Sequence, residues 1–592
     1  SRTLYQQRPF IHLPRRLHRD SPSLLFAPFA AALLVLSGLL MLPAHLTPIP
    51  ISPFAPWAPE ALVLATLLAA TVYLPGKRWM LGLGVVASVA YWAYAWYDAL
   101  VYTAFQRHGV LYEDIRFVVD ALYLIPELAS PERAVLGVGA VAAAAGMLAM
   151  MPRLARAFRE AGHMRATWAL LLALHLMAWP YVLWYAPTEN WGIEHRAYRE
   201  IREDERLRTL TAQMHANLDA SRALYRLVNT LDQGRTDSTY HRYADLNLQE
   251  RPPIYWFLME SYGRVLTTHP ELKRPYAALL DSVETALRDD GWQMATAVGT
   301  APIRGGRSWL SHATLLSGVR IHRQLLNDRL VRHPSYPSIV RTLQAQGYHT
   351  VGLKPPNRAR PGLPLSDPYD FDRMFYLNDL NYEGPRYGWG IVPDQYSLYY
   401  AHEQALSGSD PFFLFFSMVD SHALWKHGLI PYVDDWRVFN EGPGVSDGGD
   451  RRWIRQHRRA DRPELVPDSL SNRFIFQQEP HLRYFRTIAH NWRLLRDYIR
   501  VDAPDDALVW VMGDHQPPVL SSESANVPIH IFARDPERLQ PFLEQGFTRG
   551  LASSSNQSTW PMEGLYSLTM HALAQYNNLS PESSLLRREG VP

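Results

Sequence analysis

Five apolar runs follow one another in the first third of this chain, at 24–42, 57–74, 79–102, 133–151 and 168–186. Each is close to the ~20 residues that cross the hydrocarbon core of a bilayer. One such run can be the central helix of a soluble domain; five in succession leave no soluble core large enough to hold them. The mean hydropathy of −0.20 hides this split, because the rest of the 592 residues reads as a soluble protein. The expectation is a transmembrane domain over 1–186, a helical linker over 187–250, a globular domain over 251–576 and a polar, poorly ordered tail over 577–592.

Lys and Arg in the short connections set the orientation. The N-terminal tail holds Arg2, Arg8, Arg15, Arg16 and Arg19, whereas 43–56 holds no Lys or Arg. Lys77 and Arg78 follow the second run, and Arg153, Arg156, Arg159 and Arg165 follow the fourth. Basic and non-basic connections alternate, which puts the N-terminus inside and everything after Ala186 outside. The stretch 111–128 is amphipathic and is expected along the outer interface, with Asp98 as an interfacial acid near the end of its span. A net charge of +2 gives no bulk attraction to nucleic acid. The absence of cysteine excludes disulfides, thiolate chemistry and cysteine zinc sites.

From Pro252 the texture changes. IYWFLM (254–259), HTVGL (349–353), FFLFFSMV (412–419), ALVWVM (507–512) and VPIHIF (527–532) read as buried strands, with helical patterns at 276–289, 337–346, 396–406 and 481–498. Near-continuous apolar strands alternating with helices predict an α/β domain with a mostly parallel central sheet. In such sheets ligands collect beyond the carboxyl ends of the strands. Glu260, His422, Asp514 and His515 all fall at such ends, and Ser308 opens a short helical run after Gly305 and Gly306. Taken singly, a serine there is a helix N-cap. Jointly, Glu260, Ser308, Asp514 and His515 supply three oxygens and one nitrogen, a set suited to one divalent cation such as manganese or zinc, with magnesium compatible. A hydroxyl activated at that position is a nucleophile for an anionic ester. His422 is placed to protonate a leaving alkoxide or hold a phosphate oxygen.

The ordered motifs GGRSWLSHATLLSG (305–318), MESYG (259–263), Asn357-Arg358, WGIVPDQYSL (389–398), PFFLFFSMVDSH (411–422) and GDH (513–515) resemble the alkaline phosphatase/sulfatase superfamily. Within it they are most similar to the membrane-anchored lipoteichoic acid synthases and phosphoethanolamine transferases. The likeness covers roughly 250–575, and the five apolar runs match as well. It implies a five-helix transmembrane domain and an α/β domain of alkaline phosphatase/sulfatase type, in a multi-pass protein of a bacterial cytoplasmic membrane. It also implies Glu260, Ser308, Asp514 and His515 as metal ligands, Ser308 as nucleophile, His422 as a catalytic partner, and Lys354, Asn357, Arg358, His312 and Trp389 toward the substrate.

The implied reaction moves a phosphoglycerol or phosphoethanolamine headgroup from a membrane phospholipid to a glycan, lipid or polymer acceptor. The departures are specific. Serine stands where these transferases usually have threonine, Lys354 stands where the synthases have a histidine, and Leu310 and His312 break the formylglycine pattern of sulfatases. Two alternatives stay open: a phosphodiesterase, phosphatase or sulfuric-ester hydrolase using the same site, and a non-catalytic membrane scaffold. Outside these motifs, Asp420, His427, His481 and His490 match a second metal site poorly, His530 reads as a core histidine, and the arginine-rich 451–462 is an insertion suited to anionic lipid or to solvent.

Overall fold

The computed structural model describes residues 22–46, 58–74, 79–105, 107–115, 131–184, 209–231, 240, 242–330, 337–357, 367–385, 387, 392–408, 411–423, 425, 430–441, 480–518, 520, 524–552, 558–579 and 586–590. Arg358, Trp389, His427 and the 451–462 insertion lie outside the described residues. The chain divides into two compact units, one of residues 1–100 and 115–219, the other of 101–114 and 220–592. The partition cuts within the helices Trp79–Phe105 and Leu210–Leu231, so that 101–114 belongs to the second unit.

The first unit carries helices Pro22–Leu46, Pro59–Ala70, Trp79–Phe105 (through residue 100), Pro131–Ala161 and Arg165–Trp184, one at each apolar run. Among the described residues one helix, Trp79–Thr103, is long and apolar enough to cross a membrane; Ala27–Pro43 and Pro59–Tyr73 are apolar but shorter. The helices pack through Phe29 against Phe158, and the Gly162 carbonyl accepts from Tyr73 Oη at 3.0 Å and Trp168 Nε1 at 2.9 Å. Leu67, Leu83, Val86, Leu172, Leu176 and Met177 are exposed. Asp98, expected at an interface, is buried.

The second unit is built on a nine-stranded mixed sheet. Its strands are β1 (Ile254–Met259), β2 (Gln293–Thr300), β3 (His349–Leu353), β4 (Arg373–Phe375), β5 (Phe412–Ser417), β6 (Leu508–Gly513), β7 (Asn526–Ala533), β8 (Thr548–Arg549) and β9 (Thr559–Pro561). The order is β4-β3-β5-β1-β6-β7-β2-β8, with β9 beside β2. From β4 to β6 all pairings are parallel. Beyond β6 the sheet turns antiparallel, because β7 opposes both β6 and β2. The sheet is therefore mixed, with parallel pairing from β4 to β6: VPIHIF forms a buried strand as read, but it runs the other way.

β1, β5 and β6 are fully buried, as their unbroken apolar sequences require. Each face of the sheet has its own core, Trp256, Phe413, Phe415 and Trp510 on one side and Tyr255, Phe257, Leu414 and Val511 on the other. The alternation follows from the two-residue period of a strand. The helices Lys273–Asp289 and Pro480–Val501 cover the second face through Leu279, Val283, Leu287, Ile488, Trp492 and Leu495. The C-terminal 586–590 is not a loose tail: the Arg587 amide donates to Ser567 Oγ at 2.6 Å, Arg588 lies over Trp560, and Leu586 packs on the core.

Candidate active site

The topology collects the polar groups at one edge. β1, β5 and β6 run parallel, so Glu260, the 418–422 turn and Asp514-His515 all emerge at their carboxyl ends. The register pairs Met259 with Gly513, which sets Glu260 beside Asp514. β2 is antiparallel to β7, which is antiparallel to β6, so β2 also ends at this edge. The loop after it carries Gly305, which bridges Gln516, and then opens the helix Ser308–Ser317.

That helix starts from two successive left-handed residues, Gly306 at φ 62° and Arg307 at φ 57°. Ser261, next to Glu260, is left-handed as well, at φ 57°. Each non-glycine residue in this region costs about 1–3 kcal/mol, which the surrounding contacts must offset. For Ser261 those contacts are explicit: its amide donates to Asp514 Oδ1 at 2.7 Å, its hydroxyl to Glu260 Oε1 at 2.9 Å, and its carbonyl accepts from Tyr484 Oη at 2.7 Å. Gly513 is fixed by close approach, since a Cβ there would lie 1.8 Å from the Tyr262 carbonyl oxygen.

Ser308 Oγ donates to Glu260 Oε2 at 2.7 Å and lies 3.0 Å from His515 Nε2. Ser308 is only half-buried, so a ligand can reach it. His515 Nε2 is also 3.3 Å from Glu260 Oε1 and 3.4 Å from Asp514 Oδ2. Single ligand atoms of Glu260, Asp514 and His515, all buried, lie within 4.8 Å of one another.

This donor set fits a cation. His515 Nδ1 meets the Gln516 carbonyl at 2.8 Å, to which it can only donate. Burial holds the imidazole pKa below its ordinary value, against the pull of Glu260, so the ring is neutral and Nε2 is a bare lone pair. A lone pair facing two carboxylates is electrostatically wrong unless a positive ion lies among them. The carboxylates are similarly opposed. Burial, and then the Glu260 charge, pushes Asp514 well above the usual range. Burial would also raise Glu260; what holds it low is positive charge at His515, then at His422, and the Ser308 hydroxyl, so with His515 neutral a cation would have to supply that charge.

Three other expected residues, His422, His312 and Lys354, act electrostatically on this group or on one another. His422, on the turn after β5, acts electrostatically on both Glu260 and His515. His312, one helical turn beyond Ser308, is buried with Nε2 3.3 Å from Ser417 Oγ and its ring edge-on to Phe415. Burial, then Lys354 and His515, holds it well below the usual histidine range, so it is neutral. Lys354 is buried after β3, its ammonium 4.7 Å from the Tyr369 ring centroid and 5.7 Å from that of Phe415. Burial brings its pKa down to about 8, against the Asp367 carboxylate. Asn357 is exposed and ties its loop through backbone bonds, to the Lys354 carbonyl and from the Leu377 amide.

Several positioning groups carried no motif signal of their own. Ser311 Oγ donates to the Asp514 carbonyl at 2.7 Å. Ser421 Oγ donates to the Glu260 carbonyl at 2.6 Å and accepts from Asn491 at 3.0 Å. The Asp394 carboxylate accepts the Val419 and Asp420 amides at 2.9 Å, bracing the turn that presents His422. Ser311, Ser421 and Asp394 lay inside stretches already singled out, and only the fold shows what they hold. His490 Nε2 is 3.4 Å from Asp420 Oδ2, while His481 pairs with Glu271, so the two belong to different clusters. His530 bonds Tyr262 and Thr296 in the core, as its strand position predicts.

No protein-family model matches this chain, and no curated protein matches it in sequence. Solved structures do. The integral membrane protein lipooligosaccharide phosphoethanolamine transferase A from Neisseria meningitidis is 10% identical, over 96% of this chain and 98% of that one, with a TM-score of 0.45. The lipoteichoic acid synthase LtaP from Listeria monocytogenes is 13% identical over 61% of this chain and 79% of that one (TM-score 0.35). The Streptococcus pyogenes phosphoglycerol transferase GacH, solved with sn-glycerol-1-phosphate, is 13% identical over 59% and 83% (TM-score 0.34). The matched proteins are of the kinds that the motif resemblance named.

Proposed function

We propose that this protein is a membrane-anchored, metal-dependent phosphotransferase. It would move a phosphoglycerol or phosphoethanolamine headgroup from a membrane phospholipid to an acceptor hydroxyl on a glycan, lipid or polymer outside the cytoplasmic membrane. The observation that carries this reading is the half-buried Ser308 hydroxyl, set at a helix start against Glu260 and His515, with Asp514 completing a buried cation-binding set. Glu260, Ser308, Asp514 and His515 would hold one manganese, zinc or magnesium ion. When bound, that ion would supply charge neutralisation for the alkoxide and the phosphoryl oxygens.

The chain's own residues account for the rest. Glu260 Oε2 accepts the Ser308 proton as Oγ attacks the donor phosphorus. The bond from phosphorus to the diacylglycerol oxygen breaks, and His422 returns a proton to that oxygen. The acceptor hydroxyl then gives its proton to His422 as it attacks the phosphoserine ester; the phosphorus–Oγ bond breaks and Glu260 returns the proton to Oγ, which regenerates Ser308 in two displacements. The helix N-terminus favours the anionic ester through its free amides and dipole. Buried Lys354 would face the donor's negative charge, and Arg358, Asn357, His312 and Trp389 are proposed to line the same side.

A lipid donor is supported by Trp309, which directly follows the nucleophile and is 42% exposed, an apolar surface suited to the glycerol end of a lipid. Five membrane-spanning helices with the N-terminus inside are the proposed anchor. The exposed leucines and methionine on these helices support it, since such surface in water is a liability and in lipid is not. The anchor keeps the site near its donor at high effective concentration.

Intact-mass analysis of the purified protein after incubation with phosphatidylglycerol or phosphatidylethanolamine tests the reading. A mass increase of one phospho-headgroup, absent in Ser308→Ala, is expected. Ser308-dependent headgroup release without acceptor or adduct would make the protein a hydrolase. Neither turnover nor bound metal would leave the scaffold.

A further inference from the structure

Ser308 is preceded by a residue whose backbone is left-handed and whose side chain is buried. The Arg307 guanidinium donates from Nη1 to Glu113 Oε1 at 3.0 Å and lies 4.8 Å from the Phe105 ring centroid. Its side chain is 1% exposed and that of Glu113 is fully buried. Glu113 comes from 101–114, which clusters with the sheet unit. In the helical turn 111–115 the usual amphipathic order is inverted: Glu113 and Asp114 are buried, whereas Leu111 and Ile115 are exposed. Of the stretch 111–128 only 111–115 are described, and there the acids have cationic partners inside.

The partners define a clamp. Glu113 Oε1 also accepts the Gln324 amide at 2.6 Å, and Oε2 lies 3.5 Å from both Arg323 Nη1 and Arg107 Nη2. Arg107 is in turn paired with Asp114. One carboxylate thus ties residue 307, just before the helix Ser308–Ser317, to residue 324, which starts the next helix. Both ends of the nucleophile segment are fixed from a point about two hundred positions earlier in the chain. A serine can serve as its own N-cap without any of this. A left-handed arginine locked by a buried carboxylate, by contrast, dictates where the first helical residue points its hydroxyl.

We propose that Glu113 is a positioning residue for Ser308, acting through Arg307, so that the 101–114 segment completes the active site. This rests on the reading of Ser308 as the nucleophile. The clamp sets the direction of Oγ toward Glu260 and the donor phosphorus, and it contributes nothing to donor binding itself.

The test uses the full chain in lipid nanodiscs and compares wild type, Glu113→Gln and Arg323→Gln. Glutamine keeps the shape and the acceptor for the Gln324 amide but removes the charge that holds Arg307. Arg323 reaches the same carboxylate through Oε2, whereas Arg307 is held by Oε1. For Glu113→Gln, kcat for Ser308-dependent headgroup release should fall ~10–100-fold, with KM within about twofold. Amide hydrogen exchange should accelerate over 305–312 and stay unchanged over β1 and β6. Arg323→Gln should leave kcat within about twofold.

An unchanged exchange rate at 305–312 in Glu113→Gln overturns the proposal, as does a wild-type kcat. Faster exchange across the whole sheet, with a lowered Tm, also overturns it, because Glu113 is then a fold residue. If wild-type protein shows no Ser308-dependent turnover, the phosphotransferase reading fails separately. Exchange in the resting protein then decides whether Glu113 orders the Ser308 segment: a local rise upholds the positioning and no local change refutes it.

Discussion

Ser308 Oγ lies 2.7 Å from Glu260 Oε2, although the two residues leave different strands that are not neighbours in the sheet. β1 supplies Glu260 and the loop after β2 supplies Ser308, with β6 and β7 between them. The contact depends on the strand ends being aligned, and it is the natural place to test the chemistry. Ser308→Ala should lower headgroup release by about 10³-fold or more while leaving the fold intact. Steady-state rates beside a thermal melt check both halves; retained turnover would remove Ser308 as nucleophile.

The buried carboxylates predict the behaviour of the metal-free protein. Purified protein should carry about one divalent ion per chain by elemental analysis, and Asp514→Asn should lose it. Exhaustive chelation should lower Tm, since two buried carboxylates are left facing a bare imidazole nitrogen. Re-addition of manganese or zinc at a hundred times its Kd should restore about 2.7 kcal/mol. A Tm indifferent to chelation would count against the cation site.

Lys354 predicts a pH effect on binding. Its pKa is brought down to about 8 by burial, against Asp367, with neutral His312 nearby. The ammonium is therefore charged below that pH and neutral above it. KM for an anionic phospholipid donor should rise as pH passes from 7 to 9, and Lys354→Met should show the high KM throughout. A pH-independent KM in wild type would exclude Lys354 from donor binding.

Ser421, next to His422, predicts a stability effect. Its hydroxyl bridges the Glu260 carbonyl and Asn491, all of it buried. Ser421→Ala leaves both partners unsatisfied and should cost about 1–3 kcal/mol in urea unfolding of the isolated transition. Gly513→Ala should cost about as much by overpacking, because its new methyl would meet the Tyr262 carbonyl. Variants as stable as wild type would show that the backbone relaxes at these points.

The strands that carry the chemistry were legible because they are apolar throughout. IYWFLM and HTVGL are strands with the bounds read from sequence, and Glu260 and Asp514-His515 follow their strands as expected. β2 was not legible: QMATAVGT is made of small and weakly apolar residues, and only its position between β7 and β9 makes it a buried strand. The direction of β7 was equally hidden, since a buried strand has the same composition whichever way it runs. The site's long-range supports were out of reach for a different reason. Nothing in the spacing of Glu113 and Arg307, or of Asp394 and Val419, announces a contact; these pairs exist only because the sheet order folds the chain back on itself.

The sheet order also governs when the site comes into being. β1 lies between β5 and β6, partners about 160 and 250 residues further along the chain. Contacts of such separation form late and slowly. In order of synthesis Glu260 and Ser308 come long before Asp514 and His515, and the apolar helices precede all four. Ser308 is therefore without two of its neighbours until about 200 further residues have been made, and a chain cut short before residue 514 holds the serine without the group around it.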